Sequence, residues 1–527
     1  MGCLLKDFCL FKPYVFLKSY KTKQMKGLAI SLVILILSIA ANAEGIINVR
    51  DFGAKGDGTT DDTKAIQSAI NNASPISMTT IYFPKGIYII ATYTTTTNFL
   101  ENYCLKLHSN LSIKGDGDGS VIRLADHTFD KKDTADNGHI FYGKVVKNVN
   151  FSDLLIDMNG SNNLVPPNVF KNYSAIFTSV GENYHISNIT VKNCSGTNMI
   201  DIMSNGDNLL IENCRFINGG NYVGSLKPNK GQIDFSFVYS EWSHTIIRNN
   251  FIQQQNIDIA LENYTGGIEL HGSGSSAFNN YVEGCWPGIY ITSIKGPLEN
   301  ITVQNNQFLK CVTGIFFYVN HTIRNVLIEN NDISLTPARS SKNDFCAGIR
   351  IPNGNLKEYS KELANLAPLY NVKIVGNTIS ADSMQTLSMG MILHSLHQSV
   401  VSGNVIKQMN YGGIVLQGSK WGTDSLLVEN NVFTDFRVNN NPTAVAGYVV
   451  ITDTYSPGLK DAPGFKNVIF SKNKFIGNLG NLKTKNPSKG SFFGAFVALP
   501  SSMKNDIKFE NNYFSDKNEN IHLVAVP

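Results

Sequence analysis

IIRNNFI at residues 246–252 is one copy of a pattern that returns as AFNNYV (277–282), VQNNQF (303–308), IENNDI (328–333), VENNVF (428–433) and FENNYF (509–514). Weaker copies are VGNTI around Asn377, SGNVI around Asn404 and SKNKF around Asn473, and Cys takes the Asn place in VKNCSG (Cys194) and IENCRF (Cys214). Successive anchors Asn250, Asn280, Asn306 and Asn331 are 30, 26 and 25 residues apart, the length of one coil of a solenoid. Leucine-rich repeats have a shorter period and a Leu consensus that is absent here. Asn is a poor strand residue, so its recurrence between alternating strands needs a cause. In a parallel β-helix the same side chain returns about 4.8 Å higher on each coil, where amides can hydrogen-bond up the stack. The pattern predicts an all-β fold, a right-handed parallel β-helix solenoid.

Each anchor is followed by a second strand of the form apolar-X-apolar-Z, usually opened by Gly. The copies run AIFTS (175–179), MIDIM (199–203), QIDFS (232–236), GIELH (267–271), GIYIT (288–292), GIFFY (314–318), GIRIP (348–352), GMILH (390–394) and GIVLQ (413–417). Their second and fourth residues point inward, so the third and fifth point out. The third places stack Phe177, Asp201, Asp234, Glu269, Tyr290, Phe316 and Arg350, and the fifth places include His271, Tyr318 and His394. Like charges directly opposed on neighbouring strands destabilise a sheet, so a column of three acids is no stability feature. A solvated column with each acid paired to a loop Lys is the plain alternative. The chemical reading makes Asp201, Asp234 and Glu269 an acid/base set assisted by His271, with Tyr290, Phe316, Tyr318, Arg350 and His394 binding substrate. Neighbouring coils place carboxylates about 5 Å apart and alternate coils about 10 Å apart at the backbone, so retaining and inverting hydrolysis both stay open.

INVRDFGAKGDGTTDDTKAIQSAINNA, residues 47–73, resembles the opening motif of the pectate-lyase-like superfamily of right-handed β-helices, shared by polygalacturonases and phage tailspikes. It reads as a strand, a Gly-rich turn and an N-terminal capping helix started by Asp61, with Ala65, Ile66, Ala69 and Ile70 on one face closing the solenoid. Asp57, Asp61 and Asp62 are turn and cap residues in this reading. Within the superfamily, TNMIDIMSNGDNLLIENCRFINGG (197–220) and GGIELHGSG (266–274) resemble glycoside hydrolase family 28, the polygalacturonases. Asn198 stands at that family's first catalytic Asp, Gly219 and Gly220 at its Asp pair, and Gly267 at its GHG His. The resemblance therefore implies the fold and the groove, not those catalytic residues. Some lyases resembling this fold use Ca²⁺ to neutralise a uronate, and for a lyase such an ion remains an option; a hydrolase calls for no cofactor and no metal.

Residues 28–39, LAISLVILILSI, form an apolar run preceded by Lys21, Lys23 and Lys26 and followed by Ala41-Asn42-Ala43. That is a signal peptide whose natural start is Met25, giving a mature chain from about Glu44 that is secreted or periplasmic, without stable membrane insertion. Residues 1–43 then leave with six Lys and one Asp, so the formal +4 of the 527-residue chain becomes −1, with 39 basic and 40 acidic groups. Such a balance excludes a nucleic-acid partner and leaves a polysaccharide as the expected one. With only 16% charged residues against 42% hydrophobic ones, the chain is not disordered. Residues 44–527 read as one solenoid domain. Insertions at 219–231, 253–266, 334–347 and 353–370 are expected to wall a cleft, the last carrying a short helix around LKEYSKELANL. The six remaining Cys read mainly as small buried fillers. The chemistry expected is glycosidic cleavage by a hydrolase, with β-elimination by a polysaccharide lyase on a uronate glycan, or non-catalytic glycan binding, as the alternatives.

Overall fold

A computed structural model describes residues 45–98, 101–129, 138–164, 172–220, 235–255, 265–336, 345–351, 367–382, 387–436, 446–452, 464–477, 494–500, 506–516 and 523–526. The residues read as a signal peptide, most of the four insertions, the helix read around 356–366, and Asp234 lie outside the described residues.

Every coil from residue 235 onward contributes three strands, and each strand pairs in parallel with its counterpart one coil away. The first face runs through Phe235–Ser240, Thr265–Leu270, Pro287–Thr292, Thr313–Tyr318 and Phe345–Arg350. Ser243–Arg248, Ser276–Phe278, Leu298–Gln304 and Ile323–Glu329 belong to the second. Phe251–Gln253, Tyr281–Glu283, Gln307–Cys311 and Asp332–Leu335 belong to the third. In earlier coils the first two faces merge into the 15-residue strands Gly138–Ser152, Tyr173–Ser187 and Asn198–Glu212. The result is the right-handed parallel β-helix the repeat predicts, with Ile200, Ile202, Val238, Ile268, Leu270, Ile289 and Ile291 of the first face filling its interior.

The Asn pair divides two tasks. The first Asn turns the chain in the left-handed region, with φ of 56° at Asn249, Asn279 and Asn305 and 55° at Asn330. Asn and Gly tolerate that region, and Gly376 and Gly403 hold the same place in the weaker copies. The second Asn is buried and joins a ladder. Asn250, Asn280, Asn306, Asn331, Asn377, Asn404, Asn431 and Asn473 each donate Nδ2 to the Oδ1 of the next, ending at Asn512, at 2.9–3.0 Å. The same Oδ1 also receives the backbone N–H of the preceding Asn, and the other amide hydrogen goes to a carbonyl such as Ile247 O from Asn280. Shorter amide runs not anticipated from sequence link Asn208, Asn183, Asn148 and Asn110, and Asn371, Asn325 and Asn300. Cys214 occupies the ladder place, its N–H donating to Asn250 Oδ1. Cys194 does not: it stands opposite Gly219 at the next bend, its thiol donating to Tyr173 O.

At the N-terminal end the helix Thr63–Asn72 buries Ile66, Ala69 and Ile70, while Ala65 packs at the edge. Asp61 Oδ1 accepts Thr63 N, Asp62 accepts Lys55 N and Gly56 N, and Asp57 accepts Thr59 N and Thr60 N, so all three serve turn and cap. Cys104, Cys194, Cys214, Cys285, Cys311 and Cys346 are free and buried, and burial pushes the thiols of Cys194, Cys214, Cys311 and Cys346 up to about 12.

Replacing the two members of one pair should separate their tasks. Asn331→Ala leaves the Asn306 donors and the Asn377 acceptor unmatched in the interior and should cost about 2–4 kcal/mol. Asn330→Gly keeps the turn and should stay within about 0.5 kcal/mol. Denaturant unfolding of both variants checks the contrast, and equal losses would contradict it.

Candidate functional site

On the first face the register is unambiguous. Phe177 lies opposite Asp201, Asp201 opposite Tyr239, Tyr239 opposite Glu269, and Tyr290, Phe316 and Arg350 continue the column. The place read for Asp234 therefore belongs to Tyr239. QIDFS fits the apolar-X-apolar-Z pattern better than FVYSE, because Ser240 is a polar residue at an inward place. Its hydroxyl is satisfied inside by Thr245 Oγ1 at 2.8 Å. The shift of five residues brings Glu241 into the fifth place, between Met203 and His271. Sequence reasoning missed Tyr239, Glu241 and Lys295; the polar inward Ser240 hid the first two, and Lys295 lies beyond the strand Pro287–Thr292, outside the repeating pattern.

Asp201 is fully buried. Its Oδ2 accepts the Asn172 amide, while Oδ1 is buried without a partner. Burial pushes its carboxyl up to about 7; the Asn172 and Asn198 amides offset only part of this, and the charges of Glu241 and Glu269 add to it. Glu241 takes the opposite course. Burial pushes it up, but the Tyr239 hydroxyl at 2.7 Å, Lys295 Nζ at 3.2 Å and the Ser204 N–H at 2.6 Å outweigh that and hold it below the usual carboxylate range. Tyr239 donates that hydroxyl, and burial together with Glu241 and Glu269 keeps its phenol strongly protonated.

Glu269 accepts Ser236 Oγ through Oε2 at 2.9 Å and holds His271 Nε2 through Oε1 at 2.9 Å. His271 Nδ1 has no protein partner, and its ring lies 4.6 Å from that of Tyr239. One contiguous cluster thus contains a buried acid with a raised pKa, a phenol, a carboxylate with its lysine, and a carboxylate–imidazole pair.

The remaining column residues are placed beside it with differing exposure. Tyr290 and Phe316 meet edge to face at 5.5 Å, and the Arg350 guanidinium lies 5.4 Å from the Phe316 ring and 5.9 Å from that of Trp286. Phe316 and His394 are fully buried and Tyr290 and Arg350 nearly so, so these side chains stand on the outer side of the sheet without presenting open faces. Tyr318 is half-buried, and His394 Nδ1 pairs with Ser395 Oγ at 2.8 Å. Trp242 is core, its indole against Tyr184 and its Nε1 donating to Met203 O.

Among the described residues no group of three or more His, Cys, Asp or Glu is arranged to hold a metal ion.

The sequence model of the rhamnogalacturonase A/epimerase, pectate lyase-like family matches residues 46–350, and the chain belongs to that family. It is 39% identical over 116 residues to the mannuronan C5-epimerase AlgE2 of Azotobacter vinelandii, which covers 22% of this chain and 11% of that protein. It is 42% identical over 118 residues to alginate lyase 7 of the same organism, 22% of this chain and 13% of that one. The chain thus spans little more than a tenth of the length of these relatives. A mutant tailspike protein of E. coli bacteriophage HK620, solved in complex with a pentasaccharide, superposes with a TM-score of 0.59 at 15% identity, over 88% of this chain and 78% of that one, and so shares the fold.

Asp201 gives the site a pH signature. Its folded pKa is above the ordinary value of 3.8, so the folded state holds the extra proton and stability falls as pH rises from about 4 through 7. Asp201→Asn removes that loss. The variant should match the parent near pH 4 and be more stable by about 2–4 kcal/mol at pH 8. Melting curves across this range read the difference, and a variant less stable than the parent at pH 8 would refute the assignment.

Proposed function

We propose that this member of the rhamnogalacturonase A/epimerase, pectate lyase-like family is an exported carbohydrate-active enzyme that acts on a uronate-containing glycan by proton transfer at C5. The observation that carries the reading is Tyr239 at the centre of the column, a protonated phenol bonded to Glu241 and set against the ring of His271. C5 of a uronate is the carbon next to the carboxylate, and its proton is removed by a base while charge develops on the carboxyl oxygens. The Glu269–His271 pair is assigned the base: Glu269 fixes the ring through Nε2, and Nδ1, buried in the free protein, has no protein partner and takes the proton once the sugar reaches it. Tyr239 is the acid. In β-elimination its proton goes to the O4 leaving oxygen as the C4–O4 bond breaks and the C4=C5 double bond forms. In epimerisation the base keeps the proton taken from C5 and Tyr239 delivers its own to C5 from the other face, with no bond to O4 broken. Lys295, more than half exposed beside Glu241, supplies positive charge at the open side of the cluster. The sequence likeness to a mannuronan epimerase and an alginate lyase supports the same class. No described helix is long and apolar enough to cross a membrane.

Glycoside hydrolysis is the second reading, and one observation favours it. Asp201, pushed up to about 7, and Glu241, held ionised, are a pair driven apart in the way an acid and a base are. Asp201 and Glu269, two coils apart and about 10 Å at the backbone, suit inversion better than retention.

Turnover of mannuronate- and galacturonate-rich glycans in deuterated water separates these readings. Proton transfer at C5 should give either deuterium at C5 or the ultraviolet absorbance of an unsaturated uronate, and Tyr239→Phe should lower kcat by about 100-fold or more with binding kept. Reducing ends released without either signal would establish hydrolysis instead, and binding without any product would mark a glycan-binding protein.

A further inference from the structure

We propose that Val145, Val180 and Lys144 form a distal subsite that grips a uronate residue of the same glycan, two to three coils towards the N-terminus from Tyr239; the inference rests on the reading above. Three observations converge there. Val145 and Val180 have φ of 55° and 59°, and they are the only β-branched side chains among the described non-Gly residues in the left-handed region, where Asn dominates. A β-branched residue in that region costs free energy that Asn or Gly would save, so strain of this kind marks a place where the side chain itself is needed. The two stand opposite each other on adjacent coils, because Lys144 pairs with Ser179 and Val146 with Gly181, and both are exposed, Val145 by 63% and Val180 by 40%.

The second observation is charge. Lys144 occupies the fifth place of its strand, on the line that leads to Glu241 and His271, and its side chain is half exposed while Nζ holds Glu101 at 2.6 Å. An ammonium has three donors, so Nζ keeps capacity for a ligand carboxylate. The third is continuity. The next coil's positive-φ residue at this bend is Ser204, at 63°, and its N–H is the one that donates to Glu241. The strained bends therefore form one wall running from the distal valines to the acid/base cluster. Along the column Tyr142 leads through Phe177 and Asp201 to Tyr239, about 14 Å in three coils, so a chain laid along the solenoid axis meets both places. The valines offer an apolar rim for a sugar face and Lys144 a counter-charge for its carboxylate.

The test compares Val145→Asn/Val180→Asn and Lys144→Gln with the full parent chain, using a mannuronate hexasaccharide and trisaccharide as probes. Asn suits the left-handed bends, so folding is kept and the melting temperature should hold or rise. Both variants should raise KM and Kd for the hexasaccharide about 10-fold, with kcat and the trisaccharide constants unchanged. Parent-like KM for the hexasaccharide in both variants, with turnover still lost in Tyr239→Phe, would overturn the subsite and leave the C5 reading standing. Failure of the parent chain to bind or convert either oligosaccharide would overturn that reading and the subsite with it.

Discussion

The structure depends on one constraint: residues in the same place on successive coils lie directly above one another, about 4.8 Å apart, for the length of the chain. Any side chain at a bend must tolerate its own copy as a neighbour. An amide does so better than any other group, because it donates and accepts at once and can repeat without a mismatch. The buried Asn ladder meets that condition over nine coils, each Oδ1 accepting twice and each Nδ2 donating twice. Burial makes the arrangement cooperative, since removing one amide orphans groups on both sides of it.

That constraint is also why so much was legible in the sequence. A spacing of 25 to 30 residues, an Asn pair and a two-residue alternation specify the coil, its faces and the inward side of each strand. The two functions within the pair were less legible, because only the structure separates the Asn at positive φ from the Asn in the ladder. Gly376-Asn377 and Gly403-Asn404 carried that distinction all along, since Gly replaces only the first member.

The site was partly legible for the same reason and failed at one coil. Asp201, Glu269, His271, Tyr290, Phe316 and Arg350 fall where alternation puts them. Tyr239 and Glu241 do not announce themselves, because their strand breaks the apolar rule at Ser240 and a neighbouring segment obeys it. A polar side chain at an inward place is tolerated when the interior supplies its partner, and Thr245 does. Pattern reading rewards the regular segment, whereas the chemistry sits beside the irregular one.

The correction at that coil changes the physics of the column more than its list of residues. Three acids in consecutive places would oppose like charges at about 5 Å on both sides of the middle one. With a phenol in the middle, Asp201 and Glu269 are two coils apart, and Glu241, the carboxylate that accepts the phenol's hydrogen bond, carries its own lysine and backbone donor. Burial, and after it the residual repulsion, push the carboxyl of Asp201, the member with least access to water, up to about 7. The cluster thus combines a buried acid with a raised pKa, a protonated phenol and two hydrogen-bonded carboxylates. Donors and acceptors are interleaved along a rigid wall, an arrangement suited to moving a proton on to and off a sugar held across it.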